Sequence, residues 1–176
     1  MMTKTAIFYS PEGGSVNRVS LKLGEMIGNE KVEIIPVSEA EIEDVRNHSQ
    51  IILVGSTVGA DHWSNEPVLN EWPEFFSMID DISFMDKKVA IVGLGNSVLY
   101  PEHFADGIAH LYKEVAEKDA KICGFVDAKD YTFEDSEALN DDGLFCGLPL
   151  DEDNEDDLTT ERIENWLSSL QPDFEF

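Results

Sequence analysis

The strongest constraint on the fold of this chain is the regular alternation of short apolar runs with longer amphipathic segments. Two of the runs, Gln50–Ser56 and Lys88–Leu94, are almost wholly apolar between their end residues, which is typical of strands covered on both faces. Strands that alternate with helices, without hairpin signals between them, favour a parallel sheet with helices on both faces. We therefore predict a doubly wound α/β fold, with strands at about residues 6–9, 31–37, 50–56, 88–94 and 121–126.

The segments between the predicted strands carry apolar residues at helical spacing. The first helix is predicted to open near Val16, and Ser38 is predicted to cap a second helix over about residues 39–48. Thr159 or Thr160 is the predicted N-cap of the last helix. Two further helices are predicted around residues 72–78 and 104–118.

The predicted fifth strand, Lys121–Val126, is followed by a stretch that breaks the pattern. Asp127–Asp142 is acidic and poor in aliphatic residues, and the apolar run Leu144–Leu150 after it reads as a strand again. The sequence therefore predicts that an insertion interrupts or extends the last strand.

Composition sets the outer limits of the fold. With 176 residues, 42% of them hydrophobic, the chain is predicted to form one domain, residues 1–176, with a sizeable core. Nothing at the N-terminus resembles a signal peptide, and no apolar run approaches the roughly 20 residues that span a bilayer. Cys123 and Cys146 show no metal-ligand spacing, so we expect a reduced, cytoplasmic protein without a metal site.

The balance of charges is strongly acidic. Twelve lysines and arginines stand against 37 aspartates and glutamates, which gives a formal net charge of −25. Such a surface repels nucleic acid and anionic membranes and attracts basic partner proteins. A general solubility device, or adaptation to high salt, would give the same composition, and charge alone does not separate these interpretations.

The loop after the first predicted strand, Ser10–Ser15, could bind a phosphate. Gly13 and Gly14 permit positive φ and close approach of the backbone, and the two serines offer hydroxyl donors. The following helix would present unpaired N–H groups and the positive end of its dipole. Ordinary chain reversal also uses glycines, so the motif is weak by itself.

Three loops are predicted at the carboxyl edge of the sheet, where doubly wound folds bind ligands: Ser10–Ser15, Ser56–Pro67 and Gly95–His103. The second and third loops carry Trp63 and Tyr100 outside the predicted core. A planar aromatic ligand with a phosphate tail would satisfy all three loops. Partner contact or local packing is the alternative explanation for the two aromatic residues.

The sequence resembles the flavodoxins, of the long-chain type, over nearly its whole length. The segment Gly93–Asp106 is similar to the family's loop beside the flavin ring, with Tyr100 and Phe104 in register. Leu150–Asn154 and the residues up to Trp166 are similar to the family's C-terminal signature. The interruption between residues 125 and 144 resembles the insertion that splits the fifth strand in long-chain members.

The resemblance implies a five-stranded parallel sheet in the order 2-1-3-4-5 and an FMN cofactor. It implies low-potential, one-electron transfer between redox proteins, such as a flavodoxin reductase or an oxidoreductase, by a monomeric carrier that is not an enzyme. Tyr100 would stack on the isoalloxazine ring, and Gly59–Ala60 would be the peptide that responds to flavin reduction. The predicted FMN-binding residues are Ser10, Pro11, Glu12, Gly13, Gly14, Ser15, Ser56, Thr57, Val58, Gly59, Ala60, Trp63, Leu94, Gly95, Asn96, Tyr100, His103, Asp106 and Asp153.

The sequence departs from the family pattern at the phosphate loop. Gly13 and Val16 stand where the family has threonines, and Asn96 stands where it commonly has an acidic residue. Each missing hydrogen bond from a hydroxyl to the charged phosphate weakens binding by on the order of 1.5–3 kcal/mol if no other donor replaces it. An interaction module that has weakened or lost FMN is therefore the second hypothesis. A quinone reductase fits the small, acidic chain less well, and a phospho-accepting signalling domain is excluded because Ser10 and Ser56 stand where that class needs acidic residues.

Overall fold

The computed structural model describes residues 5–56 and 71–176. Parallel strands alternate with helices, as the sequence predicts, and two short strands are added within the insertion. The strands are β1 (Thr5–Tyr9), β2 (Val32–Pro36), β3 (Gln50–Ser56), β4 (Lys88–Leu94), β5 (Lys121–Cys123), β6 (Val126–Asp127), β7 (Leu144–Phe145) and β8 (Leu148–Leu150). The helices are α1 (Gly14–Ile27), α2 (Ile42–Arg46), α3 (Trp72–Met78), α4 (Gly107–Ala116) and α5 (Thr159–Leu170).

The main sheet has the order β2-β1-β3-β4-β5, and every pairing in it is parallel. The last position is shared by two strands. β5 pairs with the first half of β4, at Lys88–Ala90, and β8 pairs with its second half, at Val92–Leu94. The predicted sheet order and the split fifth strand are therefore confirmed.

Alternate residues of the central strands enter two separate cores, one on each face of the sheet. Ile7 and Ile52 pack on one face with α1 and α5, through residues that include Leu23 and Trp166. Phe8 and its neighbours pack on the other face with α2, α3 and α4. Helices therefore cover both faces, and folds of this kind bind ligands at the carboxyl ends of the strands.

The predicted cap of α2 is wrong. Residues 37–39 form a turn after β2, and the helix begins four residues after Ser38, at Ile42. The Asp44 carboxylate accepts a hydrogen bond from the Glu41 backbone N–H at 2.8 Å, as in a capping box. Glu41 and Asp44 therefore cap the helix in place of Ser38.

The predicted strand Lys121–Val126 also ends early. Gly124 has a φ of +81°, and a Cβ placed there would lie 2.6 Å from Trp166 Nε1, so the chain turns away from the sheet after Cys123. β6 then pairs antiparallel with β7 in a small separate sheet. The run Leu144–Leu150 is accordingly two strands rather than one.

The last two helices begin at positions that differ from the prediction. α4 begins at Gly107, after turns that occupy residues 101–106. The N-cap of α5 is Leu158, and neither predicted threonine caps the helix, because Thr159 is already helical and buried. Within residues 5–56 and 71–176, no helix has the length and apolar character needed to cross a membrane.

The C-terminal segment closes the amino edge of the sheet, opposite the predicted ligand edge. Gln50 and Glu175 exchange two hydrogen bonds, from Glu175 N to Gln50 Oε1 at 2.7 Å and from Gln50 Nε2 to Glu175 O at 3.0 Å. Phe174 is 1% exposed and belongs to the core beneath α5. The chain end is thereby fixed to β3.

Candidate functional site

The loop after β1 lies at the carboxyl edge of the sheet. The Ser10 N–H donates to the carbonyl of Val54 in β3 at 3.2 Å, and Ser10 itself is buried. Pro11 follows through a cis peptide bond, and Glu12 is exposed. The start of the loop is therefore anchored to the centre of the sheet, and its remainder faces outward.

Two glycines bring the loop into α1. Gly13 and Gly14 have φ values of +86° and +66°, which favour glycine, and a Cβ at either position would meet no described atom within 4 Å. Helix α1 begins at Gly14 without a side-chain cap or an acidic residue in its first turn. No side chain of the described residues therefore caps the first N–H groups of the helix.

A serine and an arginine meet at the first turn of α1. Arg18 Nη2 donates to Ser15 Oγ at 2.8 Å, and the arginine is exposed. Val16, where the family has a threonine, is 3% exposed and packs in the core with α5. The phosphate-type loop thus keeps one hydroxyl at the helix start and gains a guanidinium beside it.

The second part of the site is the loop that follows β4. Leu94 is buried at the end of the strand, and the Gly95 N–H donates to the carbonyl of Leu150 in β8 at 2.9 Å. A Cβ at Gly95 would lie 2.7 Å from the backbone nitrogen of Ala105, so glycine is needed for the loop to pack on its own far end. Ser56, at the end of β3, pairs in register with Leu94.

The Asn96 side chain connects this loop to the segment after β8. Its Oδ1 accepts hydrogen bonds from the Leu99 N–H at 2.9 Å and from Asn154 Nδ2 at 2.8 Å. Its Nδ2 donates to Asp153 Oδ2 at 3.1 Å. Asn96 and Asp153, both predicted FMN contacts, therefore lie side by side.

A buried carboxylate lies beneath these contacts. Asp151 is fully buried, and its oxygens accept from Ser97 N at 3.0 Å, Ser97 Oγ at 2.6 Å and Asn154 N at 3.0 Å. Burial alone would raise the pKa of Asp151, but the hydrogen bonds from Ser97 and Asn154 together lower it below the usual value. The ionised carboxylate thus fastens the two segments together.

His103 and Asp106 form the far end of the same loop. Asp106 is 5% exposed, and its carboxylate contacts His103 Nδ1 at 3.0 Å and accepts from the Glu137 N–H at 2.8 Å. Asp106 therefore orients His103 and joins the loop to the insertion.

Tyr100 is half-buried, and its N–H donates to the carbonyl of Asn96 at 2.9 Å, which closes the loop turn. Val98 and Leu99, just before it, are each 67% exposed. Apolar side chains are thus presented at the outer rim of this loop.

The predicted residues that the structure describes fall into two groups. One group is the loop after β1, and the other is the loop after β4 together with Asp153, which contacts it. The predicted residues Thr57, Val58, Gly59, Ala60 and Trp63 lie outside the described residues. Sequence reasoning missed Arg18, Ser97, Asp151 and Asn154, whose hydrogen bonds build the site. Only the acidic tail Asp151–Asn154 offered a signal, as part of the family signature.

The sheet order and the two loops define a class. This is a doubly wound α/β protein with a glycine-rich loop after its first strand and an aromatic loop after its fourth, both at the carboxyl edge where such folds bind ligands.

The comparisons with known proteins narrow that class. The family model described as Flavodoxin matches residues 7–166. A flavodoxin of Nostoc sp. is 33% identical over 174 residues, which cover 99% of this chain and 99% of the relative, and one of Helicobacter pylori is 35% identical over 98% of this chain and 99% of the relative. The crystal structure of Fusobacterium nucleatum flavodoxin bound to flavin mononucleotide matches with a TM-score of 0.85 and 27% identity, covering 99% of this chain and 100% of that one. The chain belongs to the flavodoxin family, as predicted.

Proposed function

We propose that this protein carries single electrons between redox proteins on a non-covalently bound FMN. The observation that carries the proposal is membership of the flavodoxin family over nearly the full chain, together with a fold match to a flavodoxin bound to flavin mononucleotide. The cofactor supplies the redox chemistry, and the protein supplies binding, orientation and electrostatics.

The residues of the first loop fit the phosphate of FMN. A Cβ at Gly13 or Gly14 would meet no atom of the described residues within 4 Å, and no side chain among these residues caps the first N–H groups of α1. A phosphate suits such a helix start through both hydrogen bonds and the helix dipole. Ser10 and Ser15 are the proposed hydroxyl contacts, with Pro11 and Glu12 completing the loop.

The residues of the fourth-strand loop fit the flavin ring. Tyr100 offers an aromatic face, and the backbone of Leu94–Asn96 would run along the polar edge of the ring. Asp106 and Asp153 are the proposed contacts to the flavin or its ribityl chain, and the Asp106 carboxylate lies 3.0 Å from Nδ1 of His103, the proposed amide contact. The other predicted contacts are Ser56 at the end of β3 and, after it in the sequence, Thr57, Val58, Gly59, Ala60 and Trp63.

The acidic surface favours basic redox proteins as partners. A net charge of −25 speeds encounter with a positively charged surface and disfavours further negative charge near the flavin, which keeps its reduction potential low. We also propose that the protein is cytoplasmic and monomeric and that residues 1–176 fold as one domain.

Electron transfer to a basic acceptor tests the proposal. The chemically reduced holoprotein is mixed without oxygen with oxidised cytochrome c, a basic haem protein, and haem reduction is followed by stopped flow. We expect second-order transfer whose rate falls steeply between ionic strengths of about 0.01 M and 1 M. Reduced free FMN is the control, with a much flatter salt profile. A holoprotein that transfers no electrons would contradict the proposal.

A further inference from the structure

Negatively charged side chains outnumber positive ones at the carboxyl edge of the sheet, which disfavours binding of an anion there. Among the described residues, the loop and helix start 10–18, the segment 95–106 and the tail 151–158 together contain one lysine or arginine, which is Arg18. Acidic residues are frequent in the same segments, with Glu12 in the first loop itself. A phosphate dianion that enters this edge is repelled by the surrounding carboxylates unless a cation lies close to it.

Arg18 differs from the other arginines of the chain in what it contacts. Arg46 pairs with Glu43 at 2.8 Å, and Arg162 pairs with Glu155 at 3.3 Å. Arg18 forms no ion pair with any of the described residues, and its guanidinium donates instead to the neutral hydroxyl of Ser15. The Arg18 guanidinium is exposed and lies beside the start of α1, so it is placed to contact an anion bound there.

The position of Arg18 on the helix leads to the same conclusion. The dipole of α1 places partial positive charge at its N-terminus, so a cation near the first turn is unfavourable by itself. An anion at Gly14 and Ser15 removes this cost and interacts with both the dipole and the guanidinium. The contact between Ser15 Oγ and Arg18 Nη2 brings the guanidinium back towards the start of the helix.

The hydrogen bond also defines what Ser15 offers to a ligand. Because Ser15 Oγ accepts from Arg18, its own O–H hydrogen remains available for donation. A guanidinium carries five N–H donors in a fixed plane, and Ser15 takes one of them. The pair can therefore present a hydroxyl donor and a charged donor to the same phosphate.

We propose that Arg18 binds the phosphate of FMN together with Ser15, and that its guanidinium replaces the threonine hydroxyls absent at Gly13 and Val16. This inference rests on the proposed function, since it assigns a residue of the same site. It makes Arg18 one of the residues by which this protein distinguishes FMN from riboflavin, which lacks the phosphate.

The test compares two flavins and three variants on the apoprotein. Quenching of flavin fluorescence gives the Kd of FMN and of riboflavin for the wild type, Arg18→Gln, Arg18→Lys and Arg46→Gln. Arg46→Gln is the matched control, because it removes the same charge from an exposed, i,i+3-paired arginine of α2, the helix that leads into the amino end of β3. Far-UV circular dichroism and thermal unfolding verify that each variant is folded.

We expect Arg18→Gln to weaken FMN about 10-fold to 100-fold, on the scale of a lost hydrogen bond to a charged group, and to leave riboflavin within about 2-fold. Arg18→Lys should lie between Arg18→Gln and the wild type, and Arg46→Gln should change neither Kd. Inorganic phosphate should compete with FMN in the wild type more strongly than in Arg18→Gln.

Two results would overturn the inference alone: FMN affinity unchanged in Arg18→Gln, or FMN and riboflavin weakened equally. A wild type that binds riboflavin as tightly as FMN would also overturn it, while leaving the flavin-carrier proposal intact. A wild type that binds neither flavin would overturn the proposed function and this inference together.

Discussion

Asn96 Nδ2 lies 3.1 Å from Asp153 Oδ2, and this hydrogen bond joins the loop after β4 to the segment after β8. The family commonly has an acidic residue in place of Asn96. In this chain an acid there would face a second carboxylate at hydrogen-bonding distance. The amide therefore converts a repulsive pair into an attractive one and holds both predicted flavin contacts in place.

Asn96→Asp should weaken FMN binding by on the order of 1 kcal/mol near neutral pH, because two unit charges about 4 Å apart repel by about that amount in water. The measurement is the Kd of FMN near neutral pH. The exchange variant Asn96→Asp with Asp153→Asn restores an amide–carboxylate pair and should recover most of the affinity; equal losses in the single and exchange variants would refute the pairing.

Asp151→Asn should lower the free energy of unfolding by about 1.5–3 kcal/mol at neutral pH, since the buried carboxylate accepts several hydrogen bonds from Ser97 and Asn154. The pKa of Asp151 is lowered in the folded state, so its stabilisation is fully present above its unfolded value of about 4 and is lost as the pH falls below it. Urea unfolding of the wild type and the variant should therefore differ most near pH 7 and least near pH 3. Glu152→Gln is the neighbouring control and should unfold like the wild type.

Tyr100→Ala should weaken FMN binding by about 1–3 kcal/mol, on the scale of aromatic stacking. Tyr100→Phe keeps the ring and should bind FMN almost as tightly as the wild type. Titration of the apoprotein with FMN gives both affinities. If the alanine variant binds FMN normally, Tyr100 is not the stacking partner.

Phe174→Ala should lower the free energy of unfolding by about 3–5 kcal/mol, because it removes a fully buried ring from the core beneath α5. Phe176→Ala, two residues later, is the matched control, since Phe176 is only partly buried, and it should cost much less. Chemical unfolding of the two apoproteins makes the comparison. Similar losses in both variants would show that the chain end is not fixed as described.

The sequence predicted the central strands better than the edges of the fold. The bounds of β3 and β4 follow from apolar runs bounded by polar or small residues, and these strands are buried on both faces, so local pattern and tertiary packing agree. At the fifth strand they disagree. Gly124 leaves the sheet because Trp166 packs against it from α5, a contact 42 residues away in sequence.

The location of the site could be predicted from the sequence, but the hydrogen bonds that build it could not. Glycines and aromatic residues identified the loops after β1 and β4, because those features are local. The hydrogen bonds from Ser97 to Asp151 and from Asn154 to Asn96 join residues more than 50 positions apart, and no local pattern signals them. Arg18 was missed for a different reason: a charged residue on an exposed helix face ordinarily indicates only solvation.

The visible absorption spectrum of the purified protein, followed by titration of the apoprotein with FMN, tests the central claim most directly. A flavin carrier should be yellow as isolated, with the absorption bands of an oxidised flavin, and its apoprotein should take up one equivalent of FMN. A colourless protein that fails to bind added FMN would contradict the account and would favour the interaction-module hypothesis.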